Sequence, residues 1–302
     1  MKFNYPRWFH LPNGGQAFPP NNPEEPLAGT WPLVFLKRND DGWFTDLYGN
    51  PLPDVRDPAS IDWSSELKVV KGVLDKLTPK QERIAIYWGM GQVTKQWTPI
   101  IDRLIDRYTI TATPLPPISL STPRAARILA ITQNAIQDAL IVSWSIKYRF
   151  DVARPIQLDP DLEPILCTPR HPTYTSGHAM AAGAAATVLS YFFPAEADRL
   201  QELAEECSVS RIYGGVHFMA DIEEGLKLGK AVGQAVINSI ENEKNSSGEP
   251  VYTPFKNNLD AELPPPPYKQ AIPFDFITIC QSTVRCRLCN WVNRIKRFFG
   301  IW

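Results

Sequence analysis

Between positions 64 and 240 the apolar residues recur at intervals of three and four, and no strand pattern competes with that spacing. A three-to-four repeat puts apolar side chains on one face of a helix, so the stretch predicts a succession of amphipathic helices around a common core. Start and stop signals divide it. Helices are expected over 64–77, 79 to about 108, 121–154, 175–193, 194–212 and 217 to about 240. Thr78-Pro79 and Ser121-Thr122-Pro123 read as N-cap and first-turn proline, Thr175 and Ser176 as N-cap candidates, Gly214-Gly215 as a turn, and Pro155 as a helix stop. In 121–154 the stripe runs through Ile128, Leu129, Ala135, Ile136, Ala139, Leu140 and Trp144, and Lys147 continues it. Arg154 falls two turns past Lys147 on the same face if the helix persists to Pro155. Two cations on an inward face need an anion.

The flanks read differently. Residues 1–61 are rich in Pro, Gly, Asn and Trp without a sustained period, which predicts an irregular arm laid over the core. Residues 241–267 are polar and end in four successive prolines, a linker or surface strap. Beyond them Val284, Leu288, Val292, Ile295, Phe299 and Trp302 share one helical face while Arg285, Arg287, Arg294, Lys296 and Arg297 supply five positive charges. That is a basic amphipathic helix, suited to peripheral membrane contact, to a partner, to its own core or to a second copy in a homo-oligomer. The expectation is an all-α protein: one helical bundle with an oxyanion site between helices, an arm at 1–61, a core at 62–240, and a linker and tail at 241–302 within a single domain.

Composition narrows the setting. The 302 residues are 44% hydrophobic and carry a net charge of −1, so nothing global attracts nucleic acid and any positive potential is local. The N-terminal stretch lacks an apolar run after its charges and does not read as a secretory signal. The longest apolar window, 179–193, is closed by Pro194 before it reaches the roughly 18 residues of a membrane span. With five cysteines (Cys167, Cys207, Cys280, Cys286, Cys289) and no leader, reduced thiols in a cytoplasmic setting are expected. The last three offer only three sulfurs to a zinc ion, one short of a structural site.

Chemistry concentrates in three segments. Three of the four histidines lie within 47 residues, in His171-Pro-Thr-Tyr-Thr-Ser-Gly-His178 and Ser210-Arg-Ile-Tyr-Gly-Gly-Val-His217-Phe-Met-Ala-Asp221. Upstream is Lys147-Tyr-Arg-Phe-Asp-Val-Ala-Arg154-Pro155. Ser176, Gly177 and the amides after them open a helix, where unpaired N–H groups and the positive dipole end bind phosphate-like anions. Arg154 and Arg211 offer planar forks to two oxygens of such an anion, and Lys147 adds a point charge. His217 and Asp221, four apart, would share a helix face, so the carboxylate can hold one ring nitrogen while the other attacks phosphorus or bonds to an oxidised metal. His178 is placed to move a proton. Taken singly, each of these residues has an ordinary structural use as cap, pair or helix stop. Their combination does not.

Lys, six residues, Arg-Pro; then Ser-Gly-His; then Ser-Arg, five residues, His, three residues, Asp: this triplet resembles the superfamily of type 2 phosphatidic-acid phosphatases, bacterial acid phosphatases and vanadium-dependent haloperoxidases. The resemblance is firm over 144–232 and leans to the bacterial haloperoxidase-like branch, because His171 precedes His178 by seven residues. Two positions depart from the pattern: Thr175 stands where many members carry proline, and Ala153 where many carry an aromatic. The resemblance implies that Lys147, Arg154, Ser176, Gly177 and Arg211 bind the oxyanion, that His217 bonds to the vanadium of vanadate, that His178 is the acid–base, that Asp221 orients His217, and that His171 tunes the site from behind. It implies vanadate as cofactor, with phosphate or sulfate able to take its place, and hydrogen peroxide and halide, bromide foremost, as substrates. The alternative within the superfamily is a phosphatase that passes a small phosphate ester through a phosphohistidine at His217. A third reading is a non-catalytic helical scaffold that uses the basic tail.

Overall fold

The computed structural model describes residues 4–109 and 120–272 together with Arg287. Eight helices dominate the described residues: α1 (Trp63–Asp75), α2 (Pro79–Gly89), α3 (Thr94–Thr109), α4 (Thr122–Phe150), the single turn α5 (Pro155–Leu158), α6 (Gly177–Phe192), α7 (Ala197–Tyr213) and α8 (Met219–Ile240). The all-α bundle is the architecture the periodicity predicts. None of these helices is long and apolar enough to cross a membrane. Apart from Arg287, the basic amphipathic segment over 284–302 lies outside the described residues, as do the thiols of Cys280, Cys286 and Cys289.

α6 is the axis of the bundle. Its sequence, Gly177-His-Ala-Met-Ala-Ala-Gly-Ala-Ala-Ala, is apolar on nearly every side, the mark of a helix enclosed by others. It packs on α4, α7 and α8. Small residues let α6 and α8 close until backbone meets backbone: a Cβ added at Gly229 would lie 2.2 Å from the Met180 carbonyl oxygen. Around this pair Val188, Leu189, Phe192, Phe193, Leu200, Val232 and Val236 form a continuous apolar core with Trp88 and Trp97. Burial of this kind contributes roughly 25 cal/mol per Å² of apolar surface, and it fixes the helix ends that carry polar groups.

Two of the predicted caps form, while Ser121 precedes α4 without a side-chain cap bond and Thr175 is not a cap. Thr78 Oγ1 accepts the Gln81 amide in a reciprocal capping box, and Ser176 caps α6. Four expectations are corrected. The helix predicted over 79–108 is two helices, interrupted at Met90–Val93, where Gly89 and Gly91 weaken the helical run; the Gln96 amide closes the gap by donating to the Tyr87 and Met90 carbonyls.

The helix predicted to run to Arg154 ends at Phe150. Asp151 takes a left-handed conformation (φ 56°), its carboxylate accepts the Phe9 amide and pairs with Arg7, and its carbonyl accepts the Trp8 amide. Arg154 is therefore not two turns along the face of Lys147. It is the residue before α5, and it reaches the site from a loop.

The arm is more ordered than its irregular sequence suggests. It contains the strands β1 (Leu36–Arg38) and β2 (Phe44–Asp46), paired antiparallel with Leu36 opposite Asp46, so a strand pattern does occur outside the helical stretch. Trp8 and Phe44 are fully buried, and the Asp138 carboxylate inside α4 accepts the backbone amides of Val34 and Phe35. The segment after α8 is a strap that buries Tyr252, Phe255, Ala261 and Leu263.

The fourth correction concerns His217, which does not open α8. It sits two residues before Met219, after a turn in which Gly215 takes a φ of 72°.

Candidate active site

The candidate side chains arrive from four places: Lys147 from the last turn of α4, Arg154 from the loop before α5, Ser176 to His178 from the start of α6, and Arg211 with His217 and Asp221 from the α7–α8 corner. Gly215, with its positive φ, lets the chain reverse between Arg211 and His217, so that both point to the same side.

Asp221 organises the corner. Its Oδ2 accepts the Phe218 amide at 2.8 Å as an N-terminal cap of α8, accepts His217 Nδ1 at 2.8 Å, and is bonded by the Thr173 hydroxyl. The His217–Asp221 pair is thus a cap contact rather than two neighbours on a helix face, which corrects the geometry expected from their spacing. With Nδ1–H donated to Asp221, His217 Nε2 keeps its lone pair, and Arg154 Nη1 approaches it at 3.1 Å.

Arg154 is fully buried and nearly spent. Nε donates to the His171 carbonyl, Nη1 to the Val216 carbonyl, and Nη2 lies 3.0 Å from His171 Nδ1. His171 Nδ1 also lies 3.1 Å from the Pro172 carbonyl oxygen, so it accepts from Arg154 when bare and donates to Pro172 when protonated. Lys147 Nζ donates to the carbonyls of Pro172 and Thr173, at 3.0 and 2.7 Å, and has a third N–H to give. His178 Nε2 donates to the Trp88 carbonyl at 3.1 Å, leaving its Nδ1 bare.

Arg211 is different. It is 3% exposed, yet its Nε and Nη1 have no hydrogen-bond partner among the described residues. Two unpartnered donors on a buried guanidinium cost several kcal/mol unless an acceptor joins them, on the order of 1–3 each. They border a cavity of about 170 Å³ whose wall also includes Gly177, His171, His178 and His217. Lys147, Arg154, Ser176 and Asp221 are buried and are not among the residues that line it. The buried charges here are three cations and one carboxylate, so the site lacks an anion. A tetrahedral oxyanion fits on both counts, donors and charge. Among the described residues no group of three or more His, Cys, Asp and Glu gathers into a metal-ion cage.

Burial shifts every titratable group in the same sense, against charge. Desolvation lowers the pKa of Arg154 to about 9 and of Arg211 to about 10. Desolvation, aided by Arg154, holds Lys147 well below its ordinary value. All three histidines are held down, first by burial and then by neighbouring cations, which favours the neutral imidazoles the hydrogen bonds require. Burial raises Asp221 to about 6, against the lowering effect of Thr173 and the Phe218 amide.

The sequence reading missed several contributors. Thr173 joins His217 to Asp221; the carbonyls of Pro172, Thr173, Val216 and Trp88 orient Lys147, Arg154 and His178; and Glu24, Met90 to Val93 and Cys167 complete the cavity wall. Only Thr173 left a trace in the sequence, as a hydroxyl inside the His171–His178 segment.

Residues 128–245 match the PAP2 superfamily, over the part of the chain that carries Lys147, Arg154, His178, Arg211 and His217. Vanadium-dependent haloperoxidases are among the proteins and solved structures that the chain resembles. It is 29% identical to a vanadium-dependent bromoperoxidase of Corallina officinalis and 30% identical to one of Corallina pilulifera. Each match takes in 30% of this chain and 21% of the relative, so the chain spans about a fifth of those proteins. A bacterial vanadium-dependent iodoperoxidase of known structure superposes with a TM-score of 0.56 at 25% identity, covering 79% of this chain and 62% of that one. The apo form of a bacterial vanadium-dependent chloroperoxidase gives the same TM-score at 12% identity, over 77% of this chain and 62% of the other, a likeness of fold alone.

Proposed function

We propose that the chain is a haloperoxidase-like enzyme that oxidises halide, bromide foremost, with hydrogen peroxide at a vanadate held by His217. The observation that carries the reading is the buried, unpartnered edge of Arg211 beside His217 and His178 in a cavity of oxyanion size. His217 would hold the oxyanion through Nε2, with Asp221 and Thr173 fixing the ring; Arg211, the remaining N–H of Lys147 and the amides at the start of α6 would share its oxygens. Arg154 would sit between His217 and His171 as a fixed positive charge. Bound vanadate supplies Lewis acidity toward hydrogen peroxide without a change of oxidation state. His178, with Nδ1 bare, would take the proton that peroxide gives up on binding, and return it as the oxidised halide leaves. His171 would act on the site only through Arg154 and its own ring.

Vanadate and phosphate share shape and charge, so the same cradle suits a phosphatase that carries phosphate on His217. The likeness to bromoperoxidases and to an iodoperoxidase supports the oxidative reading. The test is a paired assay of metal-free protein: bromide-dependent halogenation of a phenolic dye with vanadate and peroxide, beside hydrolysis of a generic phosphomonoester without them. Vanadate-dependent bromination is the expected result. Ester hydrolysis with no bromination would overturn the proposal in favour of the phosphatase.

A further inference from the structure

Beside the oxyanion cavity lies a larger hollow of about 400 Å³, and the two share Glu24, Gln92, Leu140 and Trp144 as wall. The sizes are informative. The cavity at Arg211, about 170 Å³, is below the roughly 300–1,000 Å³ of sites that hold organic molecules, whereas the neighbouring hollow falls inside that range. Nothing assigned so far to the oxyanion site uses it.

Its lining has a definite chemistry. Ile136 and Ile141 are buried on the α4 side, and Trp31, from the arm, is 49% exposed although it is a large aromatic residue. Trp144 is held in place, its indole N–H donating to the Glu24 carbonyl at 3.3 Å and its ring 4.7 Å from that of His171. The hollow therefore runs from an open aromatic rim on Trp31 to an aromatic wall that packs on His171. Its charged lining residues are Glu24 and Glu25, both carboxylates. The surface rewards a ring, disfavours an anionic tail and favours a cationic one.

We propose that this groove seats the organic substrate, a small aromatic molecule bearing a protonated amine, with its ring against the Trp31–Trp144 wall and its ammonium toward Glu24 and Glu25. The proposal rests on the haloperoxidase reading. The reaction it serves is aromatic substitution: hypohalous acid formed at the oxyanion site gives its halogen to a ring carbon, the halogen–oxygen bond breaks, and the displaced ring proton leaves with hydroxide as water. Leu140 and Trp144 are common to both hollows, which therefore adjoin.

Three phenols with one ring and different tails test it: 4-hydroxyphenethylamine, 4-hydroxyphenethyl alcohol and 4-hydroxyphenylacetate, titrated calorimetrically into the full-length protein. The amine should bind tightest and the carboxylate weakest, with about ten-fold between the extremes. Glu25→Gln should compress that order. Gln137→Trp, which fills the groove from an exposed position on α4, should abolish binding of all three and raise KM for their halogenation. It should leave unchanged the formation of triiodide from iodide and peroxide, which needs no organic molecule. Equal affinities for the three tails, or undiminished binding to Gln137→Trp, would overturn the groove assignment while halide oxidation stood. Ordered binding in a protein that oxidises no halide would keep the groove and remove the reading it serves.

Discussion

Arg154 Nη1 lies 3.1 Å from His217 Nε2, so the lone pair left on that nitrogen when Nδ1–H is given to Asp221 already accepts from a cation. An oxyanion that takes the place of this hydrogen bond finds its countercharge beside it, and a proton joining the nitrogen is repelled. The arrangement therefore favours oxyanion capture over protonation of the imidazole, the order of events the proposed function needs.

Replacing His217 should remove activity, and replacing Arg211 should weaken the anion. His217→Ala is expected to lose about a thousand-fold or more in turnover, since no other imidazole in the site has a carboxylate behind it. Arg211→Ala is expected to lose about ten- to hundred-fold in vanadate affinity, the worth of one or two hydrogen bonds to a charged group. Equilibrium dialysis with vanadium analysis separates the two effects. Full turnover in metal-loaded His217→Ala would take this residue out of the mechanism.

Phosphate should compete with vanadate and should itself raise the melting temperature, because either fills the unpartnered edge of Arg211. Thermal shift in a phosphate series, followed by vanadate titration at saturating phosphate, checks both halves. An unchanged vanadate isotherm would mean two sites.

Acid should loosen the fold early. His171, His178 and His217 have folded pKa values below the unfolded one, so below the ordinary imidazole pKa the unfolded chain binds protons that the folded chain refuses, and stability falls with pH. Asp221, raised to about 6, works the other way: its contribution is present at low pH and is lost as pH rises through that value. It offsets one histidine of three. Melting temperature should therefore drop between pH 7 and 5.5, and His171→Phe, which removes one of the refused protons, should flatten the slope. An identical slope in the variant would assign the acid response elsewhere.

His171 is expected to tune and not to be required. Its ring contacts Arg154 Nη2 and lies against Trp144, so His171→Ala should shift the pH profile and halide preference while vanadate still binds. Loss of vanadate binding with the helical circular dichroism intact would make it a direct ligand.

Asp138 tests how the arm is held. Its fully buried carboxylate accepts Val34 and Phe35 amides from the arm, and Asp138→Ala should cost about 2–3 kcal/mol. Limited proteolysis should then cut the arm before the bundle. Uniform resistance to protease would show that the apolar contacts suffice.

What the sequence disclosed and what it withheld have physical causes. Helices over 64–240 were legible because the apolar period is written in side chains, and Lys147, His178, Arg211 and His217 stood out because charged and imidazole groups at fixed offsets are rare. The end of α4 was hidden, since Asp151 is turned left-handed by Arg7 and Phe9, residues more than 140 positions away. The strands at Leu36–Arg38 and Phe44–Asp46 are too short to show a period. Backbone acceptors such as the Val216 and Trp88 carbonyls leave no mark in any residue type. For the same reason the break at Met90–Val93, which walls the cavity, could not be told from a continuing helix.

The arm's bonds to Asp138 and Asp151 set an order of events during synthesis. Residues 7–9 and 34–35 leave the ribosome more than 100 residues before the carboxylates that receive them. Until α4 emerges, Trp8 and Phe44 have no core to enter, and the arm waits as unpaired chain. These contacts are long-range, so the arm cannot dock, and the Glu24 wall of the site cannot be placed, before α4 exists. A nascent chain halted before α4 is complete holds its most apolar N-terminal residues in the open, and that interval is when a chaperone has most to offer.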